Sequence, residues 1–327
     1  MSADHDQIAE LAREGAGRFG LGDATITLCN VSENHTYRVE HPRGTRYALR
    51  IHRPGYRSVE EIISELMWID ALRADGVVNT PRAIVAADGS RVVSVSTAEL
   101  GPRDVAMFEW LDGVAPDLDA GEAAVRQFEI LGATSARMHG HTRRWDPPGE
   151  FRRPRWDYES TIGPQGHWGL WQDGLGMGPE ERRQLAHLDA TIASRLRAFG
   201  EGADRFGLIH ADMRLANLLV DGVRVRVIDF DDCGFSWYMY DFATAVSFME
   251  DHPRVPELRD AWVQGYRRER ELEREAEAEL QTFVMLRRLL LVAWIGSHHT
   301  FAPEAAELGA GFTAGTCALA EDYLSTH

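Results

Sequence analysis

A carboxylate, an amide and a second carboxylate recur within one short stretch of this chain, as Asp212, Asn217 and Asp229. The stretch reads Leu208-Ile209-His210-Ala211-Asp212-Met213-Arg214-Leu215-Ala216-Asn217-Leu218-Leu219-Val220 and then Val225-Arg226-Val227-Ile228-Asp229-Phe230-Asp231-Asp232. A short apolar strand is expected to deliver His210 and Asp212 to a loop. A tight turn at Asp221-Gly222 is expected to return the chain as a second apolar strand ending in Asp229. Read as one hairpin, this brings Asp212, Asn217 and Asp229 to the same end of a β-ribbon. Three oxygen-bearing side chains there suit a hard divalent cation such as magnesium, which leaves its other positions to water and phosphate. Phosphoryl transfer asks for little more. One carboxylate orients the acceptor hydroxyl, while Asn and Asp hold the metal that screens a triphosphate.

The pattern His210-x-Asp212-x4-Asn217, followed by Ile228-Asp229-Phe230, resembles the catalytic-loop and metal-loop pair of the aminoglycoside phosphotransferase family, including homoserine kinase and bacterial stress-kinase members. The same order appears in protein kinases. The resemblance implies a protein-kinase-like fold and an ATP- and magnesium-dependent phosphotransferase. It implies Asp212 as catalytic base and Asn217 and Asp229 as magnesium ligands. Arg214 stands where protein kinases carry a phosphate-contacting Lys and is grouped with Asp212. Asp241 is expected from the same resemblance to hydrogen-bond the catalytic-loop backbone, and a carboxylate in the first turn of a helix also suits its dipole. Asp231 and Asp232 depart from the D-F-G of protein kinases; such a run of like charges fits a bound cation without assigning its ligands.

The nucleotide end is read from Tyr47-Ala48-Leu49-Arg50-Ile51, where alternation puts Ala48 and Arg50 on one face. This looks like the A-x-K of the third kinase strand, with the small residue against adenine and the cation on the α and β phosphates. Arg replaces Lys, and a guanidinium can make that contact bidentately. Glu65, which flanks the apolar stripe of the following helix, is the expected partner of Arg50, with Glu61 one turn earlier as the alternative. Ser32-Glu33-Asn34-His35-Thr36-Tyr37 lies where a phosphate-covering loop belongs. It lacks G-x-G-x-x-G but resembles the family's degenerate form, which puts Asn34 near phosphate. Met107 to Gly113 resembles the hinge, so the carbonyl of Glu109 and the amide of Leu111 are the expected adenine partners.

Around these motifs the first third reads as strand-rich. Ala24–Cys29, His35–Glu40, Thr45–Ile51, Arg91–Thr97 and Asp104–Trp110 are rich in Val, Ile, Thr and Tyr and are parted by turn residues. One helix, Val59 to Ala74, carries apolar residues at helical spacing behind Ser58 and Glu61, a capping-box pair. After Asp112-Gly113 and Pro116 the periodicity turns helical over Gly121–His139, Glu180–Phe199, Tyr240–Asp251, Pro256–Arg270 and Gln281–His299. The architecture expected is α+β and two-lobed: a small β-rich nucleotide-binding lobe over 1–112, a mostly helical catalytic and substrate-binding lobe over 113–327, and the active site in the cleft.

The 327 residues are 44% hydrophobic, enough for two modest cores. Asp and Glu number 51 against 35 Lys and Arg, a formal charge of −16. That balance argues against nucleic acid as a partner, because a phosphate backbone is held by clustered cations. Cys29, Cys233 and Cys317 have neither disulfide nor zinc spacing. No secretory signal and no membrane span are expected, and a cytoplasmic location fits. Trp145, Trp156, Trp168 and Trp171 crowd a Pro/Gly-rich segment, 141–179, where packing is favoured over an acceptor-capping role. The main reading is transfer of phosphate to a hydroxyl of a small, amine-bearing molecule. A stress-kinase type Ser/Thr protein kinase and a silent nucleotide-binding module are the alternatives. The acceptor, ATP against GTP, and the oligomeric state are left open.

Overall fold

The computed structural model describes residues 2–118, 120–221 and 224–326. The turn expected at Asp221-Gly222 lies in part outside the described residues. The chain divides into two compact units, Met1–Asp112 with Pro148–Arg152, and Gly113–Pro147 with Arg153–His327. Pro148–Arg152 is tied into the first unit where the Arg152 amide donates to Ser64 Oγ at 2.8 Å.

The first unit runs α1 (Ser2–Arg18), β1 (Thr25–Val31), β2 (His35–Glu40), β3 (Arg46–Ile51), α2 (Val59–Ala74), β4 (Val92–Val95) and β5 (Arg103–Glu109). Its antiparallel sheet has the order β1-β2-β3-β5-β4. Alternation sends Tyr37, Val39, Leu49, Ile51, Val105 and Met107 to one face, where Leu11, Ala12 and Ala16 of α1 close the core. Each large apolar side chain buried there contributes about 1.5–3 kcal/mol. α2 begins as its sequence predicts: Ser58 Oγ accepts from the Glu61 amide at 3.3 Å, and Glu61 Oε2 accepts from the Ser58 amide at 2.8 Å.

In the second unit α3 (Glu122–Thr142), α4 (Tyr158–Thr161) and α5 (Pro179–Phe199) precede β6 (Phe206–Ile209), β7 (Leu218–Asp221), β8 (Arg224–Val227) and β9 (Gly234–Trp237). α6 (Tyr240–Ala245), α7 (Val255–Glu269), α8 (Arg274–Ala278), α9 (Leu280–His298) and α10 (Pro303–Leu324) follow. α9 is long and apolar enough to cross a bilayer, but 83% of its apolar window is buried inside this unit, so it reads as a core helix. Trp156, Trp168 and Trp171 are also buried, which makes most of the Trp-rich segment packing.

Two expectations need correction. The strand before His210 is not half of the hairpin: β6 pairs with β9, while β7 pairs with β8. Asp212 therefore reaches the site from a different ribbon than Asn217 and Asp229. The helix expected over Tyr240–Asp251 stops at Ala245. Phe248 sits at φ 68°, a conformation a helix cannot contain, and its ring meets Trp294 and Phe312 at 6.0 Å each.

Candidate active site

Asp212 lies on the loop that leaves β6, and the loop is held by its neighbours' backbone. Asp241, in the first turn of α6, accepts from the Ala211 amide at 2.8 Å, and Thr244 Oγ1 accepts from the Met213 amide at 2.9 Å. Ala211 itself is left-handed, at φ 63°. A non-glycine residue there is strained, and such strain collects where a side chain must be aimed.

His210 joins this loop to the one that follows β8. Its Nδ1 accepts from the Asp212 amide at 3.2 Å, so the proton sits on Nε2, which donates to the Ile228 carbonyl at 3.2 Å. That assignment needs a neutral ring. Burial pushes the His210 pKa down, against the pull of Asp241, Asp212 and Asp229.

The Ile228 amide donates to the Asn217 carbonyl at 2.9 Å, which ties the entry of β7 to the exit of β8. Asn217 and Asp229 are thus at one end of the hairpin. Asp229 is left-handed as well, at φ 61°. Asn217 Nδ2 donates to the Asp212 backbone carbonyl at 2.9 Å and to Asp212 Oδ2 at 2.7 Å. With the NH2 end committed, Asn217 Oδ1 is the end left to face a cation. Among the described residues no three His, Cys, Asp or Glu side chains form a metal cage. An amide oxygen and one carboxylate suit a hard divalent cation that takes the rest of its shell from other oxygen donors.

The other oxygen of Asp212 has a partner the sequence did not disclose. Arg287 Nη2, on α9, donates to Asp212 Oδ1 at 2.7 Å, and its Nε donates to Ser247 Oγ at 3.1 Å. The guanidinium is buried and lies 5.3 Å from the Trp168 ring centre. Burial alone would lower its pKa, but Tyr240 and Asp212 beside it raise it further, so it is a permanent cation. In the sequence Arg287 and Arg288 are two charges in front of the apolar run Leu289–Ile295. A charged residue in a helix that is otherwise core is almost never buried unpaired, and that was the available signal. Arg214 approaches Asp212 Oδ2 only to 3.9 Å and gives its Nη1 to both oxygens of Glu304 at 2.9 Å. The structure thus places Arg214 beside the carboxylate, paired to Glu304.

In the first unit, Arg50 Nη1 bridges Glu65 Oε1 and Oε2 at 2.8 and 2.9 Å, and Glu65 is wholly buried. The guanidinium lies 4.9 Å from the Phe108 ring centre. Glu61 is committed to the capping box, so Glu65 and not Glu61 is the partner. Ala48 pairs with Phe108 in the β3–β5 register. At the end of β5 the Glu109 amide donates to the Arg82 carbonyl at 2.9 Å and the Trp110 amide to the Arg46 carbonyl at 3.3 Å, fixing the chain that leads to Leu111. Asn34 is buried and its Oδ1 accepts from the Arg53 amide at 3.1 Å, while Glu33 pairs with Arg53 at 2.8 Å.

A base-like carboxylate fixed at both oxygens, an Asn–Asp pair on a hairpin end, and a sheet-borne cation braced by a helix glutamate define a phosphotransferase of protein-kinase-like fold. Residues 26–279 match the phosphotransferase enzyme family, APH, and the chain belongs to that family. It is similar to a microcompartment-associated aminopropanol kinase of known structure, with 45% identity over 97% of this chain and 98% of that one and a TM-score of 0.89. It is 23% identical to the amicoumacin kinase of Bacillus subtilis (strain 168) over 316 residues, 93% of this chain and 90% of that protein. An amicoumacin kinase solved with AMP-PNP, Ca2+ and Ami shares the fold at a TM-score of 0.72 and 22% identity, over 89% of this chain and 87% of that one.

Proposed function

We propose that this protein transfers the γ-phosphate of ATP, in the presence of magnesium, to the hydroxyl of a small amino alcohol of the aminopropanol kind. The observation that carries the reading is the Asp212 carboxylate, held by Asn217 at one oxygen and by Arg287 at the other. A carboxylate so fixed can orient an acceptor hydroxyl and take its proton as the oxygen attacks phosphorus. Arg287 and Asn217 keep it in one rotamer, so the hydroxyl meets a ready geometry. Arg50, steered by Glu65, is assigned to the α and β phosphates, and the Glu109 carbonyl and Leu111 amide to adenine. Ala48 is assigned to the adenine face and Asn34 to the phosphate loop. Asn217 Oδ1 and Asp229 would hold magnesium, whose contribution is to neutralise charge on the β and γ phosphates. The 45% identity to an aminopropanol kinase supports the choice of acceptor class. Among the described residues Cys29, Cys233 and Cys317 form no disulfide, which fits the reducing cytoplasm we assign to the protein.

The test is transfer from γ-labelled ATP to 1-aminopropan-2-ol, ethanolamine, kanamycin and casein in parallel, with Asp212→Asn as control. The expected result is label on the amino alcohols, lost in the variant. Label on casein or kanamycin with none on either amino alcohol overturns the acceptor assignment.

A further inference from the structure

The chain between Asp229 and β9 is Phe230-Asp231-Asp232-Cys233, and each of its carbonyls accepts from a side chain of the segment 153–156. Arg153 Nε donates to the Cys233 carbonyl at 2.6 Å, and its Nη2 donates to the carbonyls of Phe230, at 3.5 Å, and Asp231. Trp156 Nε1 donates to the Asp232 carbonyl at 2.7 Å. Both side chains are buried. A buried carbonyl without a donor is costly, and a guanidinium, whose donors form a rigid fork, can satisfy several at once.

The segment that brings these donors is itself fastened to β9. The Phe235 amide donates to the Pro154 carbonyl and the Trp156 amide to the Phe235 carbonyl, each at 2.8 Å, which makes a parallel bridge between Arg155 and Phe235. Ser236 Oγ donates to the Trp156 carbonyl at 2.8 Å. The approach is backbone to backbone: a Cβ on Gly234 would stand 2.5 Å from the Pro154 carbonyl oxygen, so glycine is needed there. Asp229 is left-handed, and strain of that kind persists where the surroundings over-determine the backbone. Before Asp229, the Ile228 amide is bound to the Asn217 carbonyl at 2.9 Å. After it, Arg153 and Trp156 hold the chain, and the Cys233 amide closes a turn onto the Phe230 carbonyl at 2.9 Å.

We propose that Arg153, aided by Trp156, is a positioning residue for Asp229: by holding the carbonyls of residues 230–233 it keeps the left-handed turn that aims the Asp229 carboxylate. Magnesium demands near-ideal geometry of its ligands, so a carboxylate free to turn with its backbone binds it less well. Arg153 therefore acts on metal affinity through the backbone. This gives part of the Trp-rich segment a task in the site beyond packing. The inference rests on Asp229 as a metal ligand, and the experiment separates the two claims.

AMP-PNP is titrated into the full chain by calorimetry with and without magnesium, and the gain in affinity that magnesium brings is compared among variants. Arg153→Met should cut that gain about tenfold, the scale of one charge-assisted hydrogen bond, and leave magnesium-free affinity unchanged. Arg153→Lys, which keeps the charge but not the fork, should recover part of the gain. Trp156→Phe removes one neutral donor and keeps an aromatic ring; it should cut the gain about threefold, and it carries the test if Arg153→Met does not fold. In the protein without metal or nucleotide, amide exchange of the peptide spanning 229–235 should be at least about fivefold faster in each of these two variants, as the hydrogen bonds that close the turn open more often. A magnesium gain kept by both variants but lost in Asp229→Ala overturns the proposal and spares Asp229 as ligand. A gain kept in Asp229→Ala as well overturns both. Exchange over 229–235 at the wild-type rate in both variants also overturns the proposal, because the turn would then be held without them.

Discussion

The Asp212 carboxylate meets an amide at one oxygen and a guanidinium at the other, so its position does not depend on the acceptor. A base fixed in advance contributes to the chemical step more than to ground-state binding. Asp212→Asn should therefore lower kcat by about 10²–10⁴, the usual range for general-base action, and leave Mg-ATP affinity near wild type by calorimetry. A parallel loss of nucleotide affinity would make Asp212 a metal or folding residue instead. The two buried imidazoles make a second statement at this scale. Burial lowers the pKa of His210 and, in spite of Asp241, that of His139, from an ordinary value of 6.5. As pH falls below 6.5 the unfolded chain takes up protons that the native rings refuse. Stability is therefore full above 6.5 and declines below it, until the lowered native values are reached. Each ring contributes up to about 1.4 kcal/mol per pH unit. Melting temperatures from pH 7.5 to 5 should fall more steeply for wild type than for His210→Asn, and superimposable curves would contradict the neutral tautomer.

Elements set these residues in place through contacts that leave no room for change. α3 and α7 cross at two glycines: a Cβ on Gly132 would stand 1.9 Å from the Trp262 carbonyl oxygen, and one on Gly265 would stand 1.8 Å from that of Glu129. Both obstacles are backbone, so no side chain can swing aside. α3 carries His139 and α7 carries Tyr266, so the crossing also sets the support of the Asp212 loop. Gly132→Ala should part the helices, cost about 2–4 kcal/mol by urea unfolding, as overpacking and lost contacts add, and lower kcat along with stability. Unchanged stability would mean that the helices separate without cost. The strands around Arg50 and the cap at Ser58 were legible from sequence because alternation and capping are local. α1 was not, because its first turn is polar and its buried stripe is short, Leu11, Ala12 and Ala16. α10 escaped for a related reason: it is rich in Ala and Gly and carries a break at Gly309. Local sequence also misjudged the hairpin. The residues that decide whether β6 meets β7 or β9 lie in Gly234–Trp237, beyond the motif. Arg287 is 75 residues from Asp212, and no local pattern reports a contact of that span.

At the scale of the whole molecule the acidic excess bears on which alcohol is used and how it arrives. The formal charge is −16, and Asp231 and Asp232 follow Asp229 directly. The immediate surroundings of Asp212 are more balanced than the sequence suggests, because Arg287 and Arg214 both approach its carboxylate. Short-range attraction for an ammonium is thereby reduced, and the share that remains comes from the summed field of the acidic chain. A field of that kind raises the local concentration of a cationic acceptor and speeds its encounter, and it fades once the Debye length drops to a few ångströms. For an amino alcohol kcat/KM should therefore fall as sodium chloride rises from 0.05 to about 1 M, where the Debye length is ~3 Å, with kcat itself little altered. The deaminated alcohol, propan-2-ol in place of 1-aminopropan-2-ol, should be a poorer acceptor at low salt and nearly insensitive to added salt. Should the two alcohols give the same kcat/KM at both ionic strengths, the negative charge has no part in acceptor choice, and its effect is confined to keeping the protein in solution.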